Sequence, residues 1–205
     1  METTGRMERK REETRRKVVS AASTLFKLHG LDGTTMEQIA EEADIAKGTL
    51  YHYFPVKEAI LDAFIQQSFE EKNAERIQQL HSLADTRARV AFLLSDLMQG
   101  VQRQKVIFER YFIYRIQQMI SLQRAENTAS GFSAMGEELI RLGLKSGELR
   151  ADLPVELLEG LFEFVFIKVA QQFYAQPEPA DLGAIIAQHV DLFLCGAQAR
   201  SLDEY

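Results

Sequence analysis

Along the 205 residues, apolar positions recur every three or four residues and almost nowhere every two, so the chain is predicted to be helical throughout. Val18, Val19, Ala22, Leu25 and Phe26 form one apolar stripe, predicting a helix over 9–29 that Gly30 ends. Thr35, with Gln38 three residues on, has the form of a capping box opening a short helix whose inner face is Met36, Ile39, Ala40 and Ala43. After a tight connection at Asp44 and Ile45, a second short helix is predicted over 46–53. Pro55 ends it, because the residue before a proline is pushed away from helical angles. A long helix over 56–81 turns Ile60, Leu61, Phe64, Ile65 and Phe69 inward and then becomes polar. Helices follow over 85–103, 105–122, 126–146, 154–175 and 181–199.

Two features of this pattern point to function. The first is "AKGTLYHYF", Ala46 to Phe54, which carries Lys47, Thr49, Tyr51 and His52 where a buried helix would carry leucines. Two short helices joined by a tight turn and propped by a longer one make a helix-turn-helix, whose second helix enters the DNA major groove. Lys47 suits a phosphate or a base edge, Gly48 allows close backbone approach, and Thr49, Tyr51 and His52 offer hydrogen bonds, while Leu50 and Phe54 face a small core. The second feature is the last two helices, which are apolar on more than one side. A helix of that kind needs two partners, so one side is expected in a dimer interface, with Leu161, Phe164 and Val165 on one helix and Ile186, Val190 and Phe193 on the other.

Charge at first argues against DNA, since 24 Lys and Arg oppose 30 Asp and Glu for a net charge of −6. The distribution removes the objection. Residues 1–60 hold ten of each sign, and the run from Arg6 to Lys17 holds seven basic and three acidic residues. Charges are screened over about 8–10 Å at physiological salt, so this patch acts locally and is expected to serve as a flexible basic arm toward DNA. The single Cys195 excludes an internal disulfide framework, fits the cytoplasm and is expected to pack within its helix. No stretch is apolar enough for a membrane span, and no secretory signal is expected. His29, His81 and His189 lack ligand spacing, so neither a metal nor a cofactor is expected.

The segment "GLDGTTMEQIAEEADIAKGTLYHYFPVKEAIL" resembles the DNA-binding part of the TetR (tetracycline-repressor) family of bacterial transcription regulators. The resemblance rests on Thr34-Thr35, Ile39-Ala40, Gly48-Thr49-Leu50-Tyr51, Tyr53-Phe54 and Lys57-Glu58, and covers about fifty residues. The later chain matches in length, helical pattern and the phrase "GELRADLPVE". Asp44 stands where the family usually has Gly, and Ala46 and Val56 stand where it often has a capping Ser or Asn. The resemblance implies an all-α chain with a three-helix DNA-binding lobe, residues 1–60, and a larger ligand-binding and dimerisation lobe, residues 61–205. It further implies a homodimer that represses from a double-stranded DNA operator until a small hydrophobic ligand binds. Thr34, Thr35, Lys47, Gly48, Thr49, Tyr51, His52 and Lys57 are the expected DNA contacts. Phe92, Phe108, Phe112, Phe132, Phe162 and Phe166 are candidates to line the pocket, with Met119, and with Tyr111 and Arg115 to orient a ligand. Two other readings compete. An adaptor that has lost DNA binding conflicts with the retained Lys47, Thr49, Tyr51 and Lys57. A helical enzyme acting on a small apolar substrate lacks a nucleophile beside a base, metal spacing or a phosphate-cradling loop.

Overall fold

The first apolar stripe becomes α1, Glu2–His29, burying Val18, Val19, Ala22 and Phe26. It ends where expected: Gly30 adopts φ +72° and donates its N–H to the Phe26 carbonyl at 3.0 Å. It starts earlier than the apolar pattern predicts, because the helix continues back through the basic run instead of leaving it as an irregular arm. The computed structural model describes residues 2–119, 131–176 and 181–197. Among these, eight further helices follow: α2 Met36–Glu42, α3 Lys47–Tyr53, α4 Lys57–Ser82, α5 Thr86–Arg103, α6 Lys105–Met119, α7 Gly131–Lys145, α8 Val155–Ala175 and α9 Leu182–Ala197. The fold is all-α.

Two compact units divide the chain, and the division does not fall at residue 60. The first unit runs through Ser68 and takes in α6 from Val106 onward; the second holds Phe69–Lys105 and the chain from α7 on. The physical reason lies in α4, whose buried residues Ile60, Leu61 and Ile65 precede the division while Phe69 and Leu80 follow it. In the first unit Gln66 of α4 donates to the Tyr111 hydroxyl of α6 at 3.2 Å, and Arg115 lies 3.9 Å from Asp62.

The second unit is centred on phenylalanines. Phe132 of α7 stacks on Phe162 and Phe166 of α8, with ring centroids 5.6 and 5.4 Å apart, and Phe193 of α9 meets Phe162 edge-on at 6.2 Å. Offset and edge-on ring pairs of this kind are attractive beyond the area they bury. This packing decides which apolar side of α8 and α9 is internal. Val165, Ile186, Val190 and Phe193 are buried inside the single chain, so four of the six residues expected at a subunit interface belong to its own core. Leu161 and Phe164 are the two left on the surface, where Leu157 and Leu192 join them. Cys195, expected to pack, is exposed.

The candidate pocket residues separate in the same way. Phe108, Tyr111, Phe112 and Arg115 belong to the first unit, whereas Phe92, Phe132, Phe162 and Phe166 belong to the second. The Met119 side chain lies outside the described residues.

The start of α5 shows how a distant charge closes a helix end. Asp85 accepts from the Ala88 N–H at 2.7 Å, and Glu148, just after α7, accepts from the Thr86 N–H at 2.5 Å. Arg89 meanwhile donates to the Leu80 and Leu83 carbonyls at the end of α4. The Thr86 hydrogen bonds, helped by Arg89, hold the Glu148 carboxyl below its ordinary value against the opposing effect of burial. A carboxylate held low stabilises the fold above the ordinary carboxylate pKa and loses that contribution as pH falls through the depressed value. Glu148→Gln is therefore expected to lower Tm at pH 7 by about 2–4 °C, the equivalent of about 1 kcal/mol for a helix-end contact. The two proteins should converge near pH 3, and a gap in Tm that stays constant across that range would count against this role.

Candidate nucleic-acid interface

Local chemistry fixes α2 at both ends. The Thr35 N–H donates to Gln38 Oε1 at 2.8 Å and the Gln38 N–H donates to Thr35 Oγ1 at 3.2 Å, completing the expected capping box. At the other end Asp44 sits at φ +48°, and its N–H reaches the Glu41 carbonyl at 2.9 Å while that of Ile45 reaches Ala40 at 3.0 Å. This is a Schellman closure with aspartate in the left-handed position usually taken by glycine. The turn that separates the two short helices is thus preserved without a glycine.

On α3, Leu50 is fully buried and Phe54 nearly so. Lys47, Gly48, Thr49, Tyr51 and His52 are all exposed. A Cβ placed on Gly48 would meet nothing within 4 Å, so the start of this helix presents open backbone. Ala46 provides no side-chain cap, as its identity dictates. The Lys47 ammonium lies 3.7 Å from Glu37 with both side chains largely in solvent, an arrangement that contributes about 0–1 kcal/mol and leaves the lysine able to change partner.

Three of the expected DNA contacts have other occupations. Thr34 is 1% exposed and donates its hydroxyl to the Gly30 carbonyl at 2.8 Å, so it shapes the loop from inside. The Thr35 hydroxyl is exposed but engaged in the capping box. Lys57 turns inward across 26 residues of sequence: its ammonium donates to the Leu31 carbonyl at 2.7 Å and to the Thr34 carbonyl at 3.3 Å. Its task is to hold the loop that precedes α2. Sequence spacing carries no signal for that contact, because the partners are main-chain oxygens.

Two basic residues of α1 that the motif does not include are placed beside it. Lys17 lies 3.6 Å from Asp44 in the turn, and the Arg15 guanidinium sits over the Phe54 ring, 4.7 Å from its centroid. Among the described residues no group of three or more His, Cys, Asp or Glu is arranged to hold a metal ion, and no helix is long and apolar enough to cross a membrane. His81 instead pairs with Glu138 at 2.6 Å, and His189 Nδ1 lies 2.9 Å from the Ile185 carbonyl.

A box-capped helix, a tight turn and a short helix with a polar, solvent-facing side constitute a helix-turn-helix DNA-binding unit. Residues 18–64 match the family model for bacterial regulatory proteins of the tetR family. Over 191 residues, 89% of this chain and 90% of the other, the sequence is 24% identical to the transcriptional repressor KstR2 of Rhodococcus jostii. It is 40% identical to the transcriptional regulator RutR of Escherichia coli over 67 residues, 33% of this chain and 32% of the other. The crystal structure of the TetR-family repressor FadR of Thermus thermophilus, in complex with lauroyl-CoA, superposes with a TM-score of 0.69 at 24% identity, covering 93% of this chain and 98% of that one. This chain belongs to the TetR family and is a transcription regulator, not an enzyme.

Proposed function

We propose that this protein is a ligand-responsive transcriptional repressor of the cytoplasm that binds an inverted-repeat operator as a homodimer and leaves it when a small hydrophobic ligand binds. The observation that carries the reading is the exposed polar side of α3, held between a complete capping box and a Schellman turn. Lys47, Gly48 and Thr49 approach the groove floor, while Tyr51 and His52 hold phosphates. Residues 1–60 are the DNA-binding part in this reading, and 61–205 the part that senses ligand and dimerises.

The dimer reading is supported by Leu157, Leu161 and Phe164, which follow one another by four and three residues along α8 and are 55, 36 and 49% exposed. A helix side that apolar is expected to be covered in a stable protein. The ligand reading is supported by the phenylalanines of α7 and α8 and by the relatives, since FadR binds lauroyl-CoA. A route from ligand to DNA is available within the first unit. Arg110 of α6 reaches Asp32, in the loop before α2, at 3.1 Å, so a ligand that displaces α6 pulls on the segment that sets the recognition unit.

Fluorescence anisotropy on a genomic panel of duplexes tests the whole reading. The expected result is selective binding to inverted repeats with half-sites about 34–36 Å apart or somewhat more. A hydrophobic compound, with lauroyl-CoA among those tried, should both raise Tm and weaken that binding. Failure to prefer any duplex, together with no compound that shifts Tm, would overturn it.

A further inference from the structure

The part of α1 that precedes its first buried residue is unusual. Val18 is the first side chain of the chain to enter the core, so the helical residues 2–17 project ahead of it over about 24 Å. Nothing in the family match covers this stretch, since the match begins at residue 18. Helices of this length are marginal in water without a packed face, and cations gathered near a helix N-terminus oppose its dipole. A basic rod of this kind is stabilised by a polyanion laid along it.

Which side of the rod faces the DNA-binding unit follows from its two anchors. Lys17 lies beside the turn residue Asp44, and Arg15 lies over Phe54 at the end of α3. Lys10 is seven residues before Lys17, and Arg11 is four before Arg15, so both continue the sides that touch the recognition unit. The acidic residues Glu12 and Glu13 do not oppose them. Glu12 pairs with Arg16 at 3.1 Å and Glu13 with Arg9 at 3.9 Å, which consumes the acids against other arginines. Lys10 and Arg11 form no ion pair among the described residues and are fully in solvent.

We infer that the amino-terminal extension of α1 is a second DNA-contacting element, in which Lys10 and Arg11 neutralise backbone phosphates of the duplex held by α3. It contributes affinity and salt dependence without reading bases, because ammonium and guanidinium groups on phosphates carry no sequence information. The inference rests on the reading of α3 as the recognition helix and adds to it a wider footprint.

Salt titration of duplex binding, with the full chain and its operator duplex, tests this against a matched control. The front variant is Lys10→Gln with Arg11→Gln; the back variant is Arg9→Gln with Arg16→Gln, which removes the same charge from the paired side. The front variant is expected to flatten the slope of log affinity against log salt by about two per subunit, since each phosphate contact contributes about 0.9. The back variant should change it by less than half as much, and the ranking of operators should be the same in all three proteins. Circular dichroism should also show helix gained on adding duplex to the unmodified chain and less gained by the front variant. Equal slopes for the unmodified and front proteins overturn the inference while leaving the recognition helix in place. Equal losses from front and back overturn it too, because net charge then suffices. Failure of the unmodified protein to bind any duplex is the separate failure of the underlying reading.

Discussion

Replacing Phe164 by aspartate is expected to yield a folded monomer, and replacing Phe193 by aspartate an unfolded chain. The sequence places both residues on apolar sides of the last two helices, but the structure gives them opposite surroundings. Phe193 is 1% exposed and meets Phe162 edge-on within the aromatic core. Truncating a buried phenylalanine costs about 3–5 kcal/mol, and an unpartnered carboxylate in its place adds several more, against a total stability of about 5–15 kcal/mol. Phe164 is half-exposed in the single chain, so the fold loses little from the change, about 0.5 kcal/mol or less. Its effect falls on whatever covers it. In a dimer two such carboxylates are buried without partners, which dissociates the subunits. Circular dichroism and sedimentation separate the cases: native helicity with half the mass for Phe164→Asp, lost helicity for Phe193→Asp. An unmodified protein that sediments as a monomer at micromolar concentration removes the dimer from the reading. So does a Phe164→Asp protein that stays dimeric through the same contact.

The second large contrast is between two lysines that the sequence treats alike. Lys57→Ala is expected to lower Tm by several degrees, because the Leu31 and Thr34 carbonyls lose the ammonium that satisfies them, at about 1–3 kcal/mol. DNA affinity should fall with it on every duplex by the same factor, through a loosened loop ahead of α2. The salt slope should not change. Lys47→Ala should do the reverse: Tm stays within about 1 kcal/mol of unmodified, given the exposed pair with Glu37, while the operator ranking or the salt slope changes. Thermal melts and anisotropy at two salt concentrations measure all four quantities. If Lys57→Ala leaves Tm alone and flattens the slope, its ammonium leaves the carbonyls for a phosphate, and the internal role assigned to it is wrong.

Much of the DNA-binding unit was legible in the sequence because its signals are local. A capping box needs only Thr35 and Gln38, three residues apart, and both hydrogen bonds form. Gly30 and Asp44 close their helices through main-chain geometry that each residue carries with it. The exposed polar side of α3 follows from its period, since Leu50 and Phe54 claim the one apolar stripe that seven residues can offer. The family followed from the same residues, and the match to 18–64 bears it out.

What the tertiary structure decided are the choices that a period leaves open and the contacts that span long stretches of chain. Periodicity reports that α8 and α9 have two apolar sides but not which one turns inward; stacking on Phe132 puts Phe162, Phe166 and Phe193 inside and leaves Leu161 and Phe164 outside. Lys57 and Thr34 read as surface groups until the loop at 30–34 folds back on them, because their partners are carbonyl oxygens that every residue possesses. The extension of α1 through charged residues has no apolar period to announce it. Sequence determines an element when its neighbours in the chain supply the free energy; where the partner comes from a distant part of the chain, only the folded structure names it.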